Sequence, residues 1–312
     1  MKSIPLYALL CLPGLAFSAE TSGINVERLM SKDLNEDGRL SKEELGARFW
    51  QRAASQDANA DGMLDAKELE ALVGKGRRGD TRQARPGGSN AAFVVKELQA
   101  SNGQILRYSL FVPVEAAAPL PLALCLHGAG GNTDAANLLA SPAMQAKHPC
   151  IVMAPACDGK FSRWALSEFR GAKDGRSVMP ELMEALNAVM AETRADHRRI
   201  YVTGQSMGGV GTWGIVAAHP DCFAAAVPVC GIWQTEDASK MNGVPIWAFH
   251  GDQDEAVPVS GSRDMIRALK AAGVTPEPKY TEFLGVGHGS WGPAYEMAAL
   301  WDWMFAQKRQ AP

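Results

Sequence analysis

From residue 91 onward the chain alternates short apolar runs with helical stretches. FVVKEL and ILRYSLFVPV, separated by Ser101-Asn102-Gly103, read as two antiparallel strands joined by a turn. LPLALCLHG, CIVMAPA, RIYVTG, AAAVPVCG and VPIWAFHG are instead nearly unbroken apolar runs bounded by Gly or Pro. A strand covered on both faces has no polar face to show, so these five runs predict a parallel sheet buried between layers. Residues 178–194 and 207–219 have helical composition and fall between runs, where crossover helices belong. The order predicts an α/β fold with a mainly parallel sheet wrapped by helices.

Ahead of this domain the pattern changes. Residues 1–19 open with Lys2, continue as an apolar run from Ile4 to Phe17, and close with small residues at Ala16 and Ser18. That is the build of a secretory signal peptide cut after Ser18 or Ala19. The run is broken by Pro5 and Pro13 and is shorter than the roughly 20 residues a membrane span needs. The expectation is an exported protein, periplasmic or extracellular, with no membrane span. Residues 74–90 hold five basic residues, one acid and five glycines without apolar periodicity, and read as a flexible basic linker. Residues 20–73 and 91–312 are then separate domains.

Residues 20–73 carry two acidic loops. In the first, Asp33, Asn35 and Asp37 occupy positions 1, 3 and 5, and Gly38 allows the turn at position 6. The Arg39 carbonyl serves position 7, Ser41 position 9, and Glu44 the bidentate position 12. Asp57, Asn59, Asp61, Gly62, Met63, Asp65 and Glu68 repeat the pattern 24 residues later. A hard cation such as calcium wants this many oxygens, so the loops predict a small all-α EF-hand pair binding Ca2+. Leu40 and Leu64 share position 8, where apolar residues can bridge paired loops. Only residues 45–56 separate the loops, enough for one shared helix burying Leu45, Phe49 and Ala53. Such tight spacing suits a structural role better than a switch. Seven basic and twelve acidic residues in 20–73 also suit a cation site.

The whole chain has 312 residues, 31 basic and 34 acidic, for a net charge of −3. That balance offers no basic groove for nucleic acid. A 46% hydrophobic content excludes a largely disordered chain. Past the signal peptide remain Cys125, Cys150, Cys157, Cys222 and Cys230, an odd number without metal-ligand spacing. Cys150 with Cys157 and Cys222 with Cys230 are neighbours in sequence, but connectivity is not readable from spacing.

The chemistry of the large domain centres on Gly204-Gln205-Ser206-Met207-Gly208, between a strand and a helix. G-x-S-x-G in that context pushes a serine hydroxyl outward as a nucleophile. A hydroxyl needs a base to take its proton. Of six histidines, His288 lies in the glycine-rich loop Val286-Gly287-His288-Gly289-Ser290 and satisfies the chain order Ser, acid, His. His250 and His127 end strands, whereas His148, His197 and His219 read as surface or helix-end residues. Asp254, in WAFHGDQDEAVPVS, is the carboxylate chosen to orient the base, with Asp252 the runner-up. Backbone N–H groups of Met207 and of Ala129, in LHGAGG, are the expected oxyanion donors.

LHGAGG, GQSMGGVGTWGIVAAHPDCFAAAVPVCG, PIWAFHGDQDEAVPV and YTEFLGVGHGSW together make residues 91–312 resemble the α/β-hydrolase superfamily. The resemblance is to secreted esterases near the dienelactone-hydrolase, polyhydroxybutyrate-depolymerase and prolyl-oligopeptidase-like group. It implies an α/β-hydrolase fold, a Ser206–Asp254–His288 triad and oxyanion donors at Ala129 and Met207. Dienelactone hydrolases proper use cysteine where this chain has Ser206, which speaks against dienelactone chemistry. The expected activity is hydrolysis of a small-molecule or polymer ester through an acyl-enzyme, with no organic cofactor. A peptidase acting on short peptides, or a non-catalytic calcium-dependent binding protein on a hydrolase scaffold, are the alternatives. Trp164, Trp213, Trp233 and Trp291 fall near the expected rim and suit either substrate stacking or core packing.

Overall fold

The computed structural model describes residues 30, 33, 37–45, 50, 57, 59, 61–69, 93–114, 119–131, 134–157, 162–165 and 176–309. Residues 1–19, Asn35, Phe49, Ala53 and 74–90, on which the signal-peptide, shared-helix and linker expectations rest, lie outside them. The chain divides into two compact units, 1–87 and 88–312.

In the larger unit an eight-stranded sheet is built from β1 (Val94–Gln99), β2 (Ile105–Phe111), β3 (Leu120–Leu126), β4 (Ile151–Ala156), β5 (Ala195–Gln205), β6 (Ala225–Val229), β7 (Trp247–Gly251) and β8 (Lys279–Phe283). Its spatial order is β1-β2-β4-β3-β5-β6-β7-β8. The hairpin β1–β2 and the pair β2–β4 are antiparallel, and every later pair is parallel. The hairpin falls where the two polar-alternating runs predict it, around Gly103 at φ 79°.

The unbroken apolar runs follow from burial on both faces. β3 is buried at every position. Leu122, Leu124 and Leu126 enter one core, and Ala123 and Cys125 enter the other. The first core is covered by α3 (Met179–Glu192), α4 (Met207–Ala218) and α5 (Ser260–Ala271). The second is covered by α1 (Asp134–Leu139), α6 (Trp291–Glu296) and α7 (Ala298–Ala306); α2 (Pro142–Lys147) precedes β4. The outcome is a helix–sheet–helix sandwich with the carboxyl ends of β3, β5 and β7 leading into the loops that matter below.

Cys125, Cys150, Cys222 and Cys230 are free thiols. The sheet explains why sequence neighbours do not pair. Cys150 and Cys157 sit at opposite ends of β4, and Cys222 and Cys230 flank β6. A strand of five or six residues spans ~17–20 Å, beyond the reach of a disulfide. Burial pushes the thiols of Cys150 and Cys230 up to about 12. Among the described residues no helix is long and apolar enough to cross a membrane.

In the smaller unit Arg39–Leu40 pairs antiparallel with Leu64–Asp65, and Leu40 lies directly opposite Leu64. Both leucines are fully buried, which is the bridge between loops that position 8 suggests. The expected all-α module thus also contains a two-residue β-ladder.

Candidate active site and acidic loops

β5 runs straight into α4 through Ser206, whose φ of 55° and ψ of −114° no ordinary strand or helix residue adopts. So tight a reversal brings backbones together. A Cβ on Gly208 would stand 2.0 Å from the Leu126 carbonyl oxygen, and one on Gly204 would stand 2.4 Å from the Gly208 oxygen. Only glycine fits at either position, which is the physical content of the G-x-S-x-G spacing. The Ser206 N–H donates to Val229 O at 3.0 Å, fastening the turn to β6.

The structure brings the three sequence-selected side chains into one chain of contacts. Ser206 Oγ lies 2.9 Å from His288 Nε2, and His288 Nδ1 lies 2.7 Å from Asp254 Oδ2. Asp254 Oδ1 accepts from the backbone N–H groups of Ala256 and Val257 at 2.9 and 2.8 Å. Asp252, the runner-up, instead accepts from the Gly285 N–H at 2.7 Å and fixes the start of the loop that carries His288. Burial would raise the carboxyl pKa of Asp254, but hydrogen bonds from His250, His288 and the Val257 N–H overcome it and hold the group well below the usual range.

Two histidines read only as strand ends prove to be part of this framework. His250 is fully buried at the end of β7. Its Nε2 lies 3.2 Å from Asp254 Oδ2 and 3.0 Å from Val257 O, and its Nδ1 lies 2.7 Å from Ser262 Oγ. Facing two acceptors, Nε2 carries the proton. His127 Nε2 accepts from the Cys157 N–H at 3.1 Å, so its proton sits on Nδ1, which donates to Gly128 O at 2.7 Å. Burial lowers its pKa, in keeping with that neutral form. The indole N–H of Trp164 donates to His127 O at 2.8 Å, pinning the same loop. Each signal in sequence was a lone histidine before a glycine, which many strand ends share.

A small cleft opens at Ser206, lined among the described residues by Ala129, Arg163, Ala165, Met207, Val210 and Val257. Ala129 and Met207 thus share this cleft with Ser206. Met207 is the first residue of α4, where backbone N–H groups have no intrahelical partner. Three of the four tryptophans weighed for substrate stacking, Trp164, Trp213 and Trp233, are buried core residues. Trp291 meets His288 edge to face, with ring centroids 5.5 Å apart.

The acidic loops are built alike. Asp33 Oδ2 accepts from the Gly38 N–H and Asp57 Oδ2 from the Gly62 N–H, both at 2.9 Å, and both glycines have φ 78°. Asp37 Oδ1 accepts from the Arg39 N–H and Asp61 Oδ1 from the Met63 N–H, again both at 2.9 Å. Glu44 caps Ser41 N at 2.8 Å, and Glu68 caps Asp65 N at 3.1 Å. Asn59 Oδ1 accepts from the Asp61 N–H at 2.9 Å. Two copies of one acidic turn, paired through Leu40 and Leu64, fit an oxygen-ligated cation in both loops.

Residues 164–240 match the prolyl oligopeptidase family and residues 33–50 match the EF hand. NocK of Nocardia uniformis subsp. tsuyamanensis, which bears the name of an esterase, is 28% identical over 177 residues, covering 52% of this chain and 47% of its own. Feruloyl esterase B of Neurospora crassa is 25% identical over 147 residues, covering 46% and 50%. The match therefore spans about half the length of these relatives. The crystal structure of a thermostable esterase superposes with a TM-score of 0.64 at 32% identity, covering 70% of this chain and 63% of that one.

Proposed function

For a chain that belongs to the α/β-hydrolase superfamily and carries an EF-hand motif, we propose the function of an exported serine hydrolase that cleaves carboxylic esters. The observation that carries this reading is the contact chain from Ser206 Oγ through His288 to Asp254 at a strained strand–helix turn. His288 Nε2 takes the hydroxyl proton as Ser206 attacks the ester carbonyl. Asp254 holds the imidazole and stabilises its cationic form. The developing oxyanion rests on the N–H groups of Ala129 and Met207, each contributing ~2.7–4 kcal/mol to lowering the barrier. His288 then protonates the leaving alcohol, and water hydrolyses the acyl-enzyme by the reverse transfers. His250, Ala256 and Val257 keep the carboxylate aimed, and His127 keeps the Ala129 loop in place.

Calcium would be held by Asp33, Asn35, Asp37, Ser41, Glu44 and the Arg39 carbonyl, and by Asp57, Asn59, Asp61, Asp65, Glu68 and the Met63 carbonyl. It would neutralise the clustered carboxylates and tie the two loops, with no part in the ester chemistry. Residues 1–19 support export.

A panel of 4-nitrophenyl esters beside aminoacyl 4-nitroanilides tests the activity. Ester turnover that falls at least ~10³-fold in Ser206→Ala is expected. Turnover unchanged in that variant would refute the reading. Anilide cleavage exceeding ester cleavage would favour a peptidase, the reading that the prolyl oligopeptidase match supports.

A further inference from the structure

We propose that Arg163 forms an anion subsite beside Ser206 and that the esters this protein hydrolyses carry a carboxylate. This rests on the ester-hydrolase reading and deepens it. Among the described residues that line the cleft at Ser206, Arg163 is the charged one, beside Ala129, Ala165, Met207, Val210 and Val257. Its Nε is buried and has no hydrogen-bond partner. Three other arginines of the domain have carboxylate partners: Arg176 pairs with Glu181, Arg199 with Asp196 and Arg263 with Glu282. Among the described residues no carboxylate forms such a pair with Arg163. A guanidinium keeps its charge at any physiological pH, so a donor left buried and unmatched is costly unless a ligand completes it.

The segment is well placed for that task. Ser162–Arg163 pairs with Arg176–Ser177, and Arg163 O accepts from the Val178 N–H at 2.9 Å. The next residue, Trp164, is fully buried and anchored to His127 O at 2.8 Å. The backbone of Arg163 is therefore fixed to the loop that also presents Ala129. A planar guanidinium matches a carboxylate through paired N–H donors, and the low-polarity walls beside it strengthen that attraction. The aliphatic walls suit a short hydrocarbon link between the carboxylate and the scissile carbonyl.

The test compares ester pairs that differ in one carboxylate, with hydrolysis followed by pH-stat. Monoethyl glutarate against ethyl pentanoate places the charge on the acyl side; acetoxyacetate against ethyl acetate places it on the alcohol side. The readout is the ratio of kcat/KM for the charged to the neutral ester, which does not depend on the fraction of folded enzyme. In at least one pair the ratio is expected to fall about 10- to 100-fold in Arg163→Gln and to recover partly in Arg163→Lys. The pair that responds tells which side of the ester Arg163 reads. Hydrolysis of all four esters with ratios equal in wild type and Arg163→Gln would overturn the subsite and leave the esterase reading standing. No hydrolysis of any ester by the wild-type protein would overturn both.

Discussion

At the scale of single residues, Asp254 is the hub. One of its oxygens meets two imidazoles, those of His288 and His250, and the other takes two backbone N–H groups. Its carboxyl pKa lies below the unfolded value, so its ionised form stabilises the fold above about pH 4, and that stability is lost as pH falls toward the folded value. Thermal melts between pH 5 and pH 2 should therefore fall more steeply for the wild type than for Asp254→Asn; parallel curves would contradict this. The same substitution should lower kcat by roughly 10³- to 10⁴-fold, because the amide cannot hold the imidazole in the productive tautomer. The contacts that join Ser206, His288 and Asp254 were legible in the sequence because each residue sits in a patterned loop with a fixed chain order. His250 and Arg163 were not, since one looks like any strand-end histidine and the other acquires its surroundings only through distant packing.

At the scale of elements, the β5–α4 turn governs the site. Gly208 meets the Leu126 carbonyl so closely that any side chain must force β3 and α4 apart. Gly208→Ala is expected to cost more than ~2 kcal/mol of stability in denaturant unfolding and to abolish ester turnover. A variant of wild-type stability and activity would show that the turn relaxes freely. The apolar runs announced β3 to β7 because those strands are covered on both faces. β8 carries no such signal because Lys279–Phe283 is an edge strand, exposed or half-buried along its length, with no apolar run. Trp164, Trp213 and Trp233 lie in the core rather than at the rim, an outcome set by helix packing that local pattern does not encode.

At the scale of the molecule, the chain divides into a unit of α/β-hydrolase fold and a paired-loop unit. If calcium serves only to stabilise the loops, adding it should raise the melting temperature of the loop unit by mass action. Chelation should lower that transition while leaving short-ester turnover within about twofold, checked by calorimetry beside a rate assay. Complete loss of turnover on chelation, at a temperature where the larger unit stays folded, would contradict a purely structural ion. The repeat of the acidic turn and the Leu40–Leu64 contact were readable in the sequence, because such a loop is a local pattern.

The most direct measurement is covalent labelling with a fluorophosphonate, followed by peptide mass spectrometry to locate the adduct. One modified residue, Ser206, is expected, with labelling that slows by at least ~10²-fold in His288→Ala. An unlabelled Ser206 in folded protein, or labelling at an unchanged rate without the imidazole, would contradict it.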